Sequence, residues 1–247
     1  MEFTRKTIRA LIGEFVCTWI FIFSVCAVGL NNSKVMMALG PTAGGIVTAF
    51  VAVAIIYSFG GISGAHFNPA VTVGAMIGCK IGLVQGILYI VVQLLAALLA
   101  VGVLSLLFPA SGTAASLVLS PGKDATSIEA VAMEFCLTFI LVLVIYATAM
   151  GVRTTISNGD IETAEEAQVL VAENKQRMNF APIAIGFTIG FLCFLGGSVS
   201  GGAFNPARAT APALIAWEFG SLWIYWVGDV TGAAAAACLF HFYFERG

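Results

Sequence analysis

The tripeptide Asn-Pro-Ala occurs twice, as Asn68-Pro69-Ala70 and as Asn205-Pro206-Ala207. The residues before it repeat too: Ile62-Ser63-Gly64-Ala65-His66-Phe67 in the first copy, Val199-Ser200-Gly201-Gly202-Ala203-Phe204 in the second. Further upstream Glu14-Phe15 is matched by Glu134-Phe135, with Thr18 and Thr138 following at the same spacing. An internal duplication constrains the fold more than any local pattern, because each half must build the same supersecondary unit.

Both halves are apolar. Hydrophobic residues make up 60% of the 247 and charged residues 10%, a balance that no soluble globule of this size can bury, so the chain reads as an integral membrane protein. Six stretches are long and apolar enough to cross a hydrocarbon layer of ~30 Å as helices: residues 7–29, 40–60, 83–107, 127–150, 181–197 and 221–244. The runs are continuous rather than alternating, which favours helices over a closed barrel, and a helix satisfies its own backbone where lipid cannot. Between spans two and three, and between five and six, lie segments too apolar for loops and too short to cross. Each begins at an Asn-Pro-Ala.

An odd number of spans per half places the halves in opposite orientations, the inverted-repeat plan that goes with broken helices and a site near the bilayer midplane. Asparagine is a strong N-cap, and proline suits the first helical position because its missing N–H would be unpaired there anyway, so each motif starts a half-helix. The expected fold is an all-α membrane protein with six transmembrane helices and two re-entrant half-helices. One transmembrane domain covers residues 1–247, with repeat one at 7–108, repeat two at 127–244 and a connector at 153–180. Two half-helices starting back to back aim their positive dipole ends at one point, and irregular backbone is tolerated there only where it lines a cavity.

Arg5, Lys6, Arg9, Lys80, Arg153, Lys175, Arg177 and Arg246 fall on one side of this plan, and only Lys34 and Lys123 on the other. The positive-inside bias therefore puts both termini in the cytoplasm. The triplet Asn31-Asn32-Ser33 then faces out, where it permits glycosylation. The first apolar run is long enough to span and lacks the small-residue pattern of a cleaved signal. The connector carries Asp160, Glu162, Glu165, Glu166 and Glu173, and Thr163-Ala164-Glu165-Glu166 resembles a helix start. A solvated surface helix is favoured there over a gate.

Taken together, the paired motifs, His66 before the first, Arg208 directly after the second, and Glu14 and Glu134 resemble the aquaporin family over nearly the whole chain. The resemblance implies a passive channel for water and small neutral solutes such as urea, glycerol, ammonia or hydrogen peroxide. It also implies a homotetramer of independently conducting subunits in membrane lipid, with no cofactor and no catalysis. The Ser127–Thr148 stretch is similar to vacuolar, tonoplast-type members, so the membrane is the plasma membrane or a vacuole-like one. Asn68 and Asn205 would donate side-chain amides to the oxygen of a passing molecule, plain helix capping being the alternative role. Carbonyls of Gly64, Ala65, His66, Gly201, Gly202 and Ala203 would accept along the approach, and Glu14 and Glu134 would hold the loops through backbone N–H groups. Cations would meet two positive helix ends and Arg208.

The family's selectivity filter also takes one residue from span two, one from span five and one from the second re-entrant loop. Counting without gaps from Asn68 and Asn205 gives Thr48, Cys193 and Gly202 beside Arg208. Strict water channels resemble a Phe and His pair here, and glycerol channels two aromatics with Gly. This filter has no aromatic ring, which implies a wider constriction, although Ala209, Ala213 and Tyr225-Trp226 look more like the water-type pattern. A thiol facing the pore at Cys193 would make conduction mercury-sensitive. His66 is expected to be hydrogen-bonded in place rather than titrating.

The six cysteines show no Cys-x-x-Cys pairing, and buried thiols acting as small hydrophobes are the default. No metal cluster, nucleotide loop or nucleophile triad stands out, and nothing points to a nucleic-acid partner. A secondary transporter shares the inverted repeat. Against it, the spans carry only Glu14, Glu129, Glu134 and Asp229, a sparse set for a proton relay. A junctional protein would need adhesive outer loops, and these are short. Asp229, where the family often has proline, is expected near the outer end of span six as an interfacial carboxylate.

Overall fold

The computed structural model describes residues 4–31, 41–109, 113–150 and 164–244. Six long helices correspond to the six expected spans: α1 (Arg5–Leu30), α2 (Pro41–Ser63), α4 (Leu83–Leu107), α6 (Ser127–Ile145), α7 (Ala164–Gly196) and α9 (Leu222–Leu239). Helices α6 and α9 run on into short π-helical stretches, Tyr146–Met150 and Phe240–Phe244. Two half-helices, α3 (Pro69–Ile77) and α8 (Pro206–Ala216), start at the prolines of the two motifs, and one turn of helix, α5 (Thr113–Ser116), lies between the repeats.

Local chemistry sets the helix starts. Thr4 caps α1 by accepting from the Thr7 N–H at 3.2 Å. Thr126 and Glu129 form a reciprocal capping box at the start of α6, satisfying two backbone donors that lipid could not. Large apolar side chains such as Phe50, Leu99 and Phe187 are left exposed on the outer faces of the spans, as a hydrocarbon surround requires.

The packing repeats with the sequence. Helix α1 packs on α2 and α4 as α6 packs on α7 and α9, while α2 against α7 joins the halves. Each half-helix also lies against the last span of the opposite repeat, α3 on α9 and α8 on α4. Tyr89 of α4 donates to the Ser63 carbonyl at 2.8 Å, and Tyr225 of α9 donates to the Ser200 carbonyl at 2.8 Å. Those two bonds put α4 and α9 in register, so Val92, Gln93 and Ala96 correspond to Gly228, Asp229 and Gly232. In the second repeat the small residues bring backbones together. A Cβ at position 232 would lie 2.3 Å from the Phe135 carbonyl oxygen, and one at 228 would lie 2.9 Å from that of Val131.

Three expectations need correction. Asp229 is not interfacial: it is fully buried on the face of α9 that meets α6, because Gly228 and Gly232 press that face inward. Residues 164–180 are helical from Ala164, as expected, but they are not a separate element, since that helix runs unbroken into span five, with no glycine or proline before Pro182 to stop it. Cysteine burial also divides: Cys17 and Cys26 are buried and Cys193 partly so, but Cys79, Cys136 and Cys238 are exposed on outer surfaces. Asn32, Ser33 and Lys34, residues 151–163 with Arg153, Asp160 and Glu162, and Arg246 lie outside the described residues.

Candidate functional site

Both re-entrant loops are wound alike. Gly64, Ala65 and Phe67 have φ of +95°, +48° and +38°, and Gly201, Gly202 and Phe204 have +87°, +62° and +34°. Glycine takes such angles freely, but for alanine and phenylalanine they cost of order 1–3 kcal/mol each, so other contacts must hold them. Glu14 supplies these in repeat one. Its Oε1 accepts from Ser63 Oγ at 2.7 Å and His66 N at 2.9 Å, and its Oε2 from Phe67 N at 2.9 Å and Gln93 Nε2 at 2.8 Å. Glu134 supplies them in repeat two, accepting from Ala203 N at 2.9 Å and Phe204 N at 2.6 Å.

These bonds orient the carbonyls. In a trans peptide the C=O points opposite to the N–H of the next residue, so drawing N–H groups onto the glutamates turns the carbonyls of Ala65, His66, Gly202 and Ala203 away from them. None of those four, nor those of Gly64 and Gly201, accepts a hydrogen bond from the described residues. The six carbonyls form two runs of unused acceptors leading to the motifs.

At the motifs the half-helix starts meet. Asn68 caps α3, its Oδ1 accepting from Ala70 N at 2.9 Å, and Asn205 caps α8, accepting from Ala207 N at 3.0 Å. Each amide also donates across the repeat boundary, Asn68 Nδ2 to the Phe204 carbonyl at 2.7 Å and Asn205 Nδ2 to the Phe67 carbonyl at 3.0 Å. Capping and donation are therefore done by opposite ends of one side chain. An amide has two N–H bonds, so the cross-bond fixes the group and leaves one donor on each.

A cavity of about 720 Å³ is lined by the loop Gly64–Asn68 and also by Tyr57, Lys80, Gln85, Met178 and Asn179. Pro182 removes the N–H that the Met178 carbonyl would otherwise receive, and on this turn Tyr57 donates to the Asn179 carbonyl at 3.0 Å. His66 borders the cavity with Nδ1 3.2 Å from Thr72 Oγ1 and its ring edge-on to Tyr89, centroids 5.4 Å apart.

Arg208, Cys193, Thr48 and Gly202 do not line that cavity. Thr48 is buried and donates its hydroxyl to the Gly44 carbonyl at 2.7 Å. The Cys193 thiol lies beside Thr48 and within electrostatic reach of Arg208. Arg208 donates from its guanidinium to the Leu117 carbonyl at 3.0 Å. Gly202 sits against Gly196 of α7, and its N–H donates to Ser200 Oγ at 3.2 Å.

Several contributors went unnoticed in the sequence. Gln93 was visible as a lone amide in an apolar run, and Tyr89 as a hydroxyl in the place matching Tyr225, whose own bond to the Ser200 carbonyl left no trace. The Leu117 carbonyl left no signal, since a backbone acceptor in a connector has no residue type. Its segment is tied to the second loop by Gly122 N donating to the Val199 carbonyl at 2.9 Å.

Comparison with known proteins agrees with this geometry. The family model described as Major intrinsic protein matches residues 2–240. Aquaporin-B of Dictyostelium discoideum is 41% identical over 239 residues, covering 93% of this chain and 81% of that protein. Aquaporin TIP1-2 of Musa acuminata is 36% identical over 242 residues, covering 95% and 86%. The X-ray structure of the aquaglyceroporin from Plasmodium falciparum superposes with a TM-score of 0.76 over 96% of this chain and 97% of that one, a likeness of fold at 19% identity. The chain thus belongs to the major intrinsic proteins, the aquaporins, and is a multi-pass membrane channel that works passively rather than as an enzyme.

Proposed function

We propose that this channel passes small neutral solutes such as urea, glycerol, ammonia or hydrogen peroxide as well as water, along a path that runs between Asn68 and Asn205. The reading is carried by one observation: the Thr48 hydroxyl is turned onto the Gly44 carbonyl. The filter positions then offer a methyl group, a thiol and a bare glycine, with the Arg208 guanidinium as their strong donor. Such a constriction is wider and less polar than one with an aromatic and a histidine. Free carbonyls on both approaches, and one spare amide N–H on each asparagine, support hydrogen bonding to a solute that sheds its own water. The two half-helix N-termini, pointing at one place, and Arg208 disfavour cations there.

The assembly we infer is a homotetramer with one pore per subunit and both termini cytoplasmic. The TIP-type relatives favour a vacuole-like membrane. Stopped-flow swelling of vesicles carrying the purified protein tests the solute range. Water flux should be non-saturating with a low activation energy, and urea, glycerol and ammonium gradients should drive faster swelling than in protein-free vesicles. Equal rates with those solutes leave a water-only channel. Thr48→Phe should abolish the urea and glycerol rates while retaining a reduced water rate, and Cys193→Ser should lose mercurial inhibition.

A further inference from the structure

In repeat one a carboxylate has about four accepting positions and Glu14 fills them with four donors. Glu134 holds the second loop with two. Where Gln93 brings an amide donor to Glu14, the corresponding residue is Asp229, a second carboxyl lying beside Glu134. Asp229 is fully buried; its Oδ1 accepts from Thr138 Oγ1 at 3.3 Å, and its Oδ2 has no partner. An ionised carboxylate can only accept, so two of them side by side leave accepting positions facing one another with no donor from the described residues on Asp229 Oδ2. The elements packed against this face bring no lysine. Helix α6 brings Glu134 and Thr138, α3 has no ionisable residue, α8 brings Arg208, and α9 itself adds Tyr225 one turn earlier. Arg208 is engaged by the Leu117 carbonyl.

We propose that Asp229 and Glu134 share a single proton, so that Asp229, as a neutral acid, is the positioning residue that donates to Glu134 in place of the amide Gln93 gives to Glu14. A proton on Asp229 turns its orphan oxygen into a donor, and the acceptor beside it has room. The brace on Gly202–Arg208, which carries two of the filter positions, then depends on a held proton, whereas the brace on Gly64–Asn68 depends on an amide. Proximity comes from Gly228 and Gly232: a short carboxyl can replace a long amide only because α9 is pressed onto α6 there.

Infrared spectroscopy of the purified full-length protein in vesicles at neutral pH reads the proton directly, through the carbonyl stretch of a protonated carboxylic acid. The parent protein should show that band, and Asp229→Asn should lack it. Water flux by stopped flow should survive Asp229→Asn, whose amide supplies the same donor, and fall severalfold in Asp229→Ala. If the alanine variant does not fold, the spectra of parent and Asp229→Asn still decide. No acid band in the parent, a band that persists in Asp229→Asn, or flux lost equally in the asparagine and alanine variants each overturns the proposal. Only the flux arm rests on the pore reading. A missing band with normal water flux overturns the shared proton alone, and absent flux in the parent with the band present overturns the pore reading alone.

Discussion

Repeat one reaches across a gap and repeat two closes it. On α4, Val92 and Ala96 keep a side chain at the turns that face α1, and the long amide of Gln93 spans to Glu14 and also donates to Thr72 Oγ1 at 3.0 Å. On α9 the same turns are Gly228 and Gly232, the backbones touch, and the residue between them is a short aspartate. Thr72 itself corresponds to Ala209, so the hydroxyl that completes the first network is missing from the second. A duplicated fold can thus keep its loops in one conformation while the chemistry beneath them diverges, provided that spacing and side-chain length change together.

That difference ranks the two glutamates. Glu14→Ala leaves two backbone N–H groups, the Ser63 hydroxyl and the Gln93 amide without their buried acceptor, at about 1–3 kcal/mol for each group not rescued. It should abolish flux and lower thermal stability in detergent more than any other single change discussed. Glu134→Ala orphans two backbone donors and the proton that Asp229 gives to it, three donors rather than four, so its loss should be smaller. Equal losses in thermal unfolding would show that the extra donor on Glu14 carries no energetic weight.

The helix spacing can be broken next. Gly232→Ala places a methyl against the Phe135 backbone, which cannot swing aside as a side chain would, and overpacking of this kind costs about 1–3 kcal/mol. Ala96→Gly, the reverse change in repeat one, should cost only about 1 kcal/mol through lost helix propensity and a small void. Thermal midpoints of the two variants check the order. If Ala96→Gly proves the more damaging, the contact between α9 and α6 is looser than that between α4 and α1, and the burial of Asp229 needs another cause.

Much of this architecture was legible without coordinates. Continuous apolar runs mark the spans to within a few residues, and Asn-Pro marks both half-helix starts, because capping and the missing proline N–H act within one turn. Depth in the bundle was another matter. Asp229 near a tryptophan looks interfacial in sequence, and only the contact of Gly228 and Gly232 with the opposite backbone places it inside. The helix start at Ala164 was legible in Thr163-Ala164-Glu165-Glu166, but its continuity into span five was not, because hydropathy marks where a helix meets lipid, not where it begins. The cross-bonds from Asn68 and Asn205 join residues of opposite repeats through backbone carbonyls, which leave no side-chain trace.

His66 gives the gentlest test of the comparison, because repeat two already contains its variant: the corresponding residue is Ala203. Glu14 holds the backbone N–H of His66 rather than its ring, and alanine keeps that N–H. What His66→Ala removes is the Nδ1 contact with Thr72 and the edge-on contact with Tyr89, while Thr72 still donates to the Asn68 carbonyl at 3.0 Å. No buried group is orphaned, so the cost should be about 1 kcal/mol. Removing an imidazole from the cavity wall should leave water flux within about twofold, a barrier change of at most about 0.4 kcal/mol at 1.4 kcal/mol per decade, and leave glycerol-driven swelling unchanged or faster. Loss of all flux would mean that the ring, and not the glutamate beneath it, sets the shape of the first loop, and that the two loops are held on different principles after all.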